Sequence, residues 1–145
     1  MRVEGSYTVP GTPERVYALL LDPVVLADCM PGCQQLAATG ENTYEMKMKV
    51  VLAALSGDFT GKIAITNAEP PTSYRLSVDG TGRIGFLKGH GDLQLAAVEG
   101  GTLVSYEGDV SAGGTLAAVG QRLMDTTARM MIRRFFERLV SQHAV

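Results

Sequence analysis

Both cysteines of the 145-residue chain fall within five residues, Cys29-Met30-Pro31-Gly32-Cys33. That spacing raises three chemistries: metal ligation, redox exchange and thiol attack. A redox couple of the CxxC kind needs two residues between its sulfurs, and this stretch has three. A zinc site needs a second ligand pair at finger-like spacing, and the only histidines are His90 and His143. Neither cysteine has a histidine beside it in sequence to draw off its proton. No metal site and no covalent cofactor is expected. The sulfurs read as small packing groups, with Cys29 ending a short helix, Pro31-Gly32 turning the chain and Cys33 opening a strand.

Two glycine-rich stretches suggest phosphate binding and fail on context. Gly80-Thr81-Gly82-Arg83-Ile84-Gly85 is a literal GxGxxG after a strand pattern. The following FLKGHGDLQLAAV alternates like another strand, so no helix N-terminus is there to receive a pyrophosphate. Gly57 to Lys62 lacks one residue between the glycines of a P-loop, and Ile63 stands where a magnesium-binding hydroxyl is needed.

Composition narrows the function further. With 46% apolar and 19% charged residues, the chain fits one globular domain, 1–145, with a substantial core. A net charge of −2 gives no basic excess to attract nucleic acid. No secretory signal or membrane-length apolar run is present, which predicts a cytoplasmic protein.

The elements that would position a site are legible from periodicity. Val3, Gly5, Tyr7 and Val9 alternate with polar residues as a strand. Thr12-Pro13-Glu14 and Asp22-Pro23 then carry the N-cap and first-turn signals of two short helices. Six strands follow from residue 34, broken by turn chemistry at Thr39-Gly40, Asn67 to Thr72, Gly80 to Gly82 and Gly100-Gly101. Spacing from Thr115 onward turns helical, placing Leu116, Gly120, Leu123, Met124, Thr127, Met131 and Phe135 on one side. This order predicts an α+β fold in which a curved antiparallel sheet with one wet face grips a long final helix.

On this parity the inward strand positions hold apolar residues, tyrosines and the glycines Gly61, Gly80, Gly82, Gly91 and Gly108, while carboxylates point outward. Acid–base catalysis needs a titratable group within reach of substrate, so a binding protein is favoured over an enzyme. Glycines facing a methionine-rich helix predict an apolar hollow.

D-P-x-x-L-x-x-C-M-P-G-C at 22–33, G-x-F-x-G at 57–61, the glycine-rich hairpin at 80–91 and G-G-x-L-A-x-V-G-Q-R at 113–122 together resemble the CoxG family of carbon monoxide dehydrogenase subunits, within the START-like (SRPBCC), helix-grip superfamily. The resemblance spans essentially the whole chain. It implies a curved seven-stranded antiparallel sheet around a long C-terminal helix, two short helices after strand 1, and a lipophilic pocket between sheet and helix. It also implies an accessory role beside a molybdenum-containing dehydrogenase, recruitment of that enzyme to the membrane, and binding of a quinone. Many members carry a tail that helps membrane attachment, whereas this sequence stops at Val145, so stable anchoring is not expected.

The expected lining comprises Tyr44, Met46, Met48, Phe59, Ile63, Leu76, Val78, Leu93 and Tyr106 from strands, with Leu116, Gly120, Leu123, Met124, Thr127 and Met131 from the helix. Tyr44 or Tyr106 would offer a hydroxyl to a quinone or fatty-acyl ligand. A cyclase- or dehydratase-like enzyme is the main rival and needs His90, Asp92 or Arg83 inside the cavity. A docking subunit with a filled interior is the third reading. A weak contact with the inner face of the membrane would use Arg133, Arg134 and Arg138, interleaved with Ile132, Phe135, Phe136 and Leu139. The competing account of those residues is a cation-rich helix end with its aromatics in the core.

Overall fold

The computed structural model describes residues 1–52 and 55–143. Strand β1 (Arg2–Val9) is followed by helices α1 (Pro13–Leu21) and α2 (Pro23–Cys29). Strands β2 (Cys33–Gly40), β3 (Thr43–Leu52), β4 (Leu55–Glu69), β5 (Ser73–Gly82), β6 (Gly85–Val98) and β7 (Gly101–Gly113) come next. A 3-10 turn (Gly114–Val119) and helix α3 (Gln121–Gln142) close the chain. One antiparallel sheet holds all seven strands in the order β1-β7-β6-β5-β4-β3-β2. From β2 to β7 each strand pairs with the next, and β1 joins the far edge beside β7. The two short helices therefore carry the chain from one edge of the sheet to the other.

The helix starts form as their sequences predict. The Thr12 side chain accepts the Arg15 amide at 3.3 Å, and the Asp22 carboxylate accepts the Val24 amide at 2.9 Å. Prolines occupy the first turns, where no amide donor is needed. Gly32 then takes φ +79 and offers its carbonyl to the Lys49 amide at 2.9 Å, so the CMPGC turn docks on β3. A side chain at Gly32 would collide with the Lys49 carbonyl.

Strand register keeps one parity inward. Tyr44 pairs with Ile63, Ile63 with Val78, and Val78 with Gly89. On β3 the residues Tyr44, Met46, Met48, Val50 and Leu52 are buried, while Glu45, Lys47 and Lys49 are exposed. The outer face carries a row of alternating sign, Glu45, Lys62, Asp79 and Lys88, in which each residue faces an opposite charge on the next strand. Such cross-strand pairs contribute about 0.2–1 kcal/mol each.

The helical reading from Thr115 is corrected at its start. Residues 114–119 form a 3-10 turn, and Gly120 adopts φ +95, a left-handed conformation that interrupts the helical ladder. Helix α3 begins only at Gln121, so Leu116 and Gly120 do not share its face. The GxGxxG stretch is a hairpin: β5 ends at Gly82, β6 begins at Gly85, and Arg83-Ile84 make the turn.

Candidate functional site

Glycines empty the middle of the inner face. Gly61 sits opposite Gly80, Gly91 sits opposite Gly108, and Gly89 lies between Val78 and Val110. Helix α3 packs against β1 and β3 and spans the strands between them. Beneath that span, Leu76, Val78 and Leu93 are only half-buried, unlike their counterparts on β3. Leu123, Met124, Thr127 and Met131 of α3 are half-buried as well. Apolar side chains left partly open on both layers mark a hollow between them. Gly80 shows the same from below: it is buried, yet an added Cβ would meet only the Leu87 carbonyl oxygen, 4.0 Å away.

The predicted lining divides accordingly. Tyr44, Met46, Met48, Phe59 and Ile63 are packed into the core along one wall. Leu76, Val78, Leu93 and Tyr106 form the partly open wall, opposite Leu123, Met124, Thr127 and Met131 of α3. Leu116 is fully buried and pegs the 3-10 turn to β6, its amide donating to the Ile84 carbonyl at 2.6 Å. Gly120 is exposed at the helix start. Sequence reasoning missed Leu87, half-buried and inward on β6, although its parity with Gly89, Gly91 and Leu93 carried the signal. Tyr74 has the same inward parity and is likewise missing from the expected lining.

All five tyrosines of the chain gather on or against the inner side. Tyr17 donates to the Ser73 carbonyl at 3.0 Å, and Tyr44 donates to the Leu21 carbonyl at 2.8 Å. The expectation that Tyr44 holds a free hydroxyl for a ligand is thereby corrected, because its proton is committed to the end of α1. Tyr106 has no hydroxyl partner among the described residues. Burial raises its pKa, Tyr7 adds to that rise, and the Arg129 guanidinium opposes it. Tyr7 and Phe136 stack at 4.5 Å with an interplanar angle of 13°, clamping α3 to β1.

Ionisable groups stay off the inner face of the sheet. His90 and Asp92 point outward, where Arg75 reaches Asp92 at 3.3 Å and the Nδ1 of His90 at 3.1 Å. Arg83 is exposed in its hairpin turn. On α3 the Arg129 guanidinium is held by Asp125 at 3.1 Å. Two clefts, of about 860 and 390 Å³, open among the charged rows of the outer face, the first bordered by Lys62, Asp79 and Lys88 and the second by Glu4, Asp92 and Glu107.

Both cysteines are free. Cys29 is fully buried, and burial followed by the nearby Asp28 charge pushes its thiol up to about 11, against the pull of Arg138. Such a thiol is a poor nucleophile. No cluster of three His, Cys, Asp or Glu side chains suited to a metal occurs among the described residues. Phe136 and Leu139 are buried and Arg133 pairs with Glu137 at 3.6 Å, so these aromatic and aliphatic positions belong to the core. No helix among the described residues is long and apolar enough to cross a membrane. The chain beyond His143, Val145 included, lies outside the described residues.

A curved seven-stranded antiparallel sheet wrapped on one long C-terminal helix, with two short helices after the first strand and an apolar hollow between the layers, defines a START-like, helix-grip protein. Within that class the sequence profile of CoxG, a carbon monoxide dehydrogenase subunit, matches residues 5–144, and the chain belongs to that family. A conserved protein from Geobacillus kaustophilus has the same structure at a TM-score of 0.92 and 32% identity, covering 98% of this chain and 94% of its own. The Zhui aromatase/cyclase from a Streptomyces species shares the fold at a TM-score of 0.68 and 13% identity, over 98% of this chain and 92% of its own. A Thermus thermophilus protein does so at 0.67 and 18% identity, over 99% of each chain. No curated protein matches the chain by sequence.

Proposed function

We propose that this protein is a non-catalytic carrier that holds a lipophilic molecule, a quinone or lipid-like compound, between sheet and α3, and serves as an accessory to a molybdenum-containing carbon monoxide dehydrogenase. The observation that carries the reading is the glycine-floored hollow, whose walls are half-buried apolar side chains and whose sheet face holds no ionisable group besides tyrosine. Affinity in such a site comes from apolar burial, about 25 cal/mol per Å² removed from water. Family membership supports the partner.

The cyclase reading draws on the likeness to an aromatase/cyclase. It requires a proton-transfer group at the substrate, and the three side chains the sequence offered, His90, Asp92 and Arg83, are all outside the hollow.

Organic-solvent extraction of the purified protein followed by mass spectrometry, alongside titration with a quinone analogue, tests the proposal. A co-purified lipophile or saturable binding is expected. Absence of both sinks it.

A further inference from the structure

Tyr74 is the inner-face tyrosine whose chemistry is unaccounted for. It is 5% exposed, inward on β5, and meets the Tyr17 ring edge-on at 5.6 Å. Tyr17 and Tyr44, its neighbours at that end of the interior, bind main-chain carbonyls. The Tyr74 hydroxyl has no hydrogen-bond partner among the described residues. A buried hydroxyl without a partner costs about 1–3 kcal/mol, so a protein that keeps one has a use for it or fills the place beside it.

The oxygen is also reachable. Among the described residues the one fully enclosed side-chain polar atom lacking a partner is Nε2 of His143, so the Tyr74 oxygen borders a space a water molecule can enter. Its row runs Tyr74, Leu93, Tyr106 across β5, β6 and β7, the partly open wall of the hollow. Burial raises the Tyr74 pKa, and Tyr17 and Tyr44 add to the rise, so the group stays protonated and able to donate.

We propose that the Tyr74 hydroxyl is the fixed end of the ligand site, donating a hydrogen bond to an uncharged acceptor, a carbonyl or ether oxygen, on the lipophile in the hollow. The inference rests on the carrier reading and names its ligand class. A carboxylate is the wrong partner for this end: the sheet's inner face has no cation, and Arg129 is already paired with Asp125. An anion placed there would lose its hydration without a counter-charge.

The test compares three probes of matched length, 2-undecanone, undecane and decanoate, as competitors of Nile red at pH 7, in wild type and Tyr74→Phe. One neutral hydrogen bond predicts a ketone preference over alkane of roughly five- to tenfold in wild type, falling to near parity in Tyr74→Phe with alkane binding unchanged. Decanoate should compete least. The carbonyl stretch of bound 2-undecanone in wild type supplies a readout independent of the variant, and a shift to lower frequency is expected. Equal ketone and alkane binding in wild type, a preference that survives in Tyr74→Phe, an unshifted stretch, or decanoate as best competitor each overturns the anchor while leaving a carrier. Failure of every probe to bind overturns the carrier reading as well.

Discussion

The Tyr106 phenol lies directly over Gly5, its cross-strand partner between β7 and β1: a Cβ on Gly5 would fall 2.6 Å from the hydroxyl oxygen and 3.0 Å from the ring carbon that bears it. Glycine is required there because the ring is also confined by Phe136, whose centroid is 6.2 Å away in a stacked geometry. Overpacking of this kind costs about 1–3 kcal/mol. Gly5→Ala should therefore lower stability within that range in denaturant titration. In a Tyr106→Phe background the cost should fall but not vanish, since the 2.6 Å contact goes and the 3.0 Å contact stays.

Gly80 separates ligand capacity from stability. Because its added Cβ meets nothing nearer than a carbonyl 4.0 Å away, Gly80→Ala should fold as well as wild type, and Gly80→Val should fill the hollow. Replacing a strand glycine with a β-branched residue removes an entropic penalty, so stability should hold or rise by about 0.5–1 kcal/mol. Lipophile binding, measured by Nile red titration, should weaken at Ala and largely disappear at Val. Loss of stability together with binding would show that this space is core, not a site.

The cysteines should behave as packing groups under alkaline stress. A folded-state thiol pKa raised from 9.0 to about 11 means that the unfolded chain gives up this proton first as pH rises. Stability from Cys29 is then fully present below pH 9 and is lost as pH climbs toward 11. Urea titrations at about pH 8, 9, 10 and 11 should show a steeper decline for wild type than for Cys29→Ala. Iodoacetamide at about pH 8 should label Cys33, which is half-buried, well before Cys29. The double alanine variant should keep Nile red binding, at a stability cost of about 1 kcal/mol for the fully buried site.

Much of the fold was legible because one signal, period-two alternation, repeats through every strand and the register preserves it from Tyr44 to Ile63 to Val78. The Thr12 and Asp22 caps were legible for the same local reason. What escaped depends on distant partners or on backbone angles. Nothing near Tyr44 in sequence announces that its hydroxyl reaches Leu21, and alternation marks Leu76 as inward without saying that α3 leaves it half open. The intervals from Leu116 to Gly120 to Leu123 imitate a helix, while the φ of +95 that breaks it belongs to Gly120 alone. A glycine four residues after a buried leucine fits both a helix interior and a helix start, and only the second is realised here.

That break makes a final prediction about how α3 is held at its N-terminal end. The 3-10 turn has glycine at Gly114, φ +73, and at Gly120, φ +95, and one fully buried side chain, Leu116, between them. The helix itself starts without a side-chain cap. At its other end α3 is fixed by buried Phe136 and Leu139 and by the Arg15 guanidinium, which donates to the His143 carbonyl at 3.2 Å. Leu116 thus carries most of the attachment of one end. Leu116→Ala should cost about 2–5 kcal/mol by cavity formation. Exchange of the Leu116 amide, bonded to Ile84 in wild type, should become faster than that of the sheet amides in hydrogen-exchange mass spectrometry. Gly120→Ala should strain the left-handed position at a cost of about 1–2 kcal/mol, with no clash to add because nothing lies within 4 Å of the new Cβ. Equal protection of the Leu116 amide in wild type and Leu116→Ala would show that the turn is held by its flanking strands, and not by the peg.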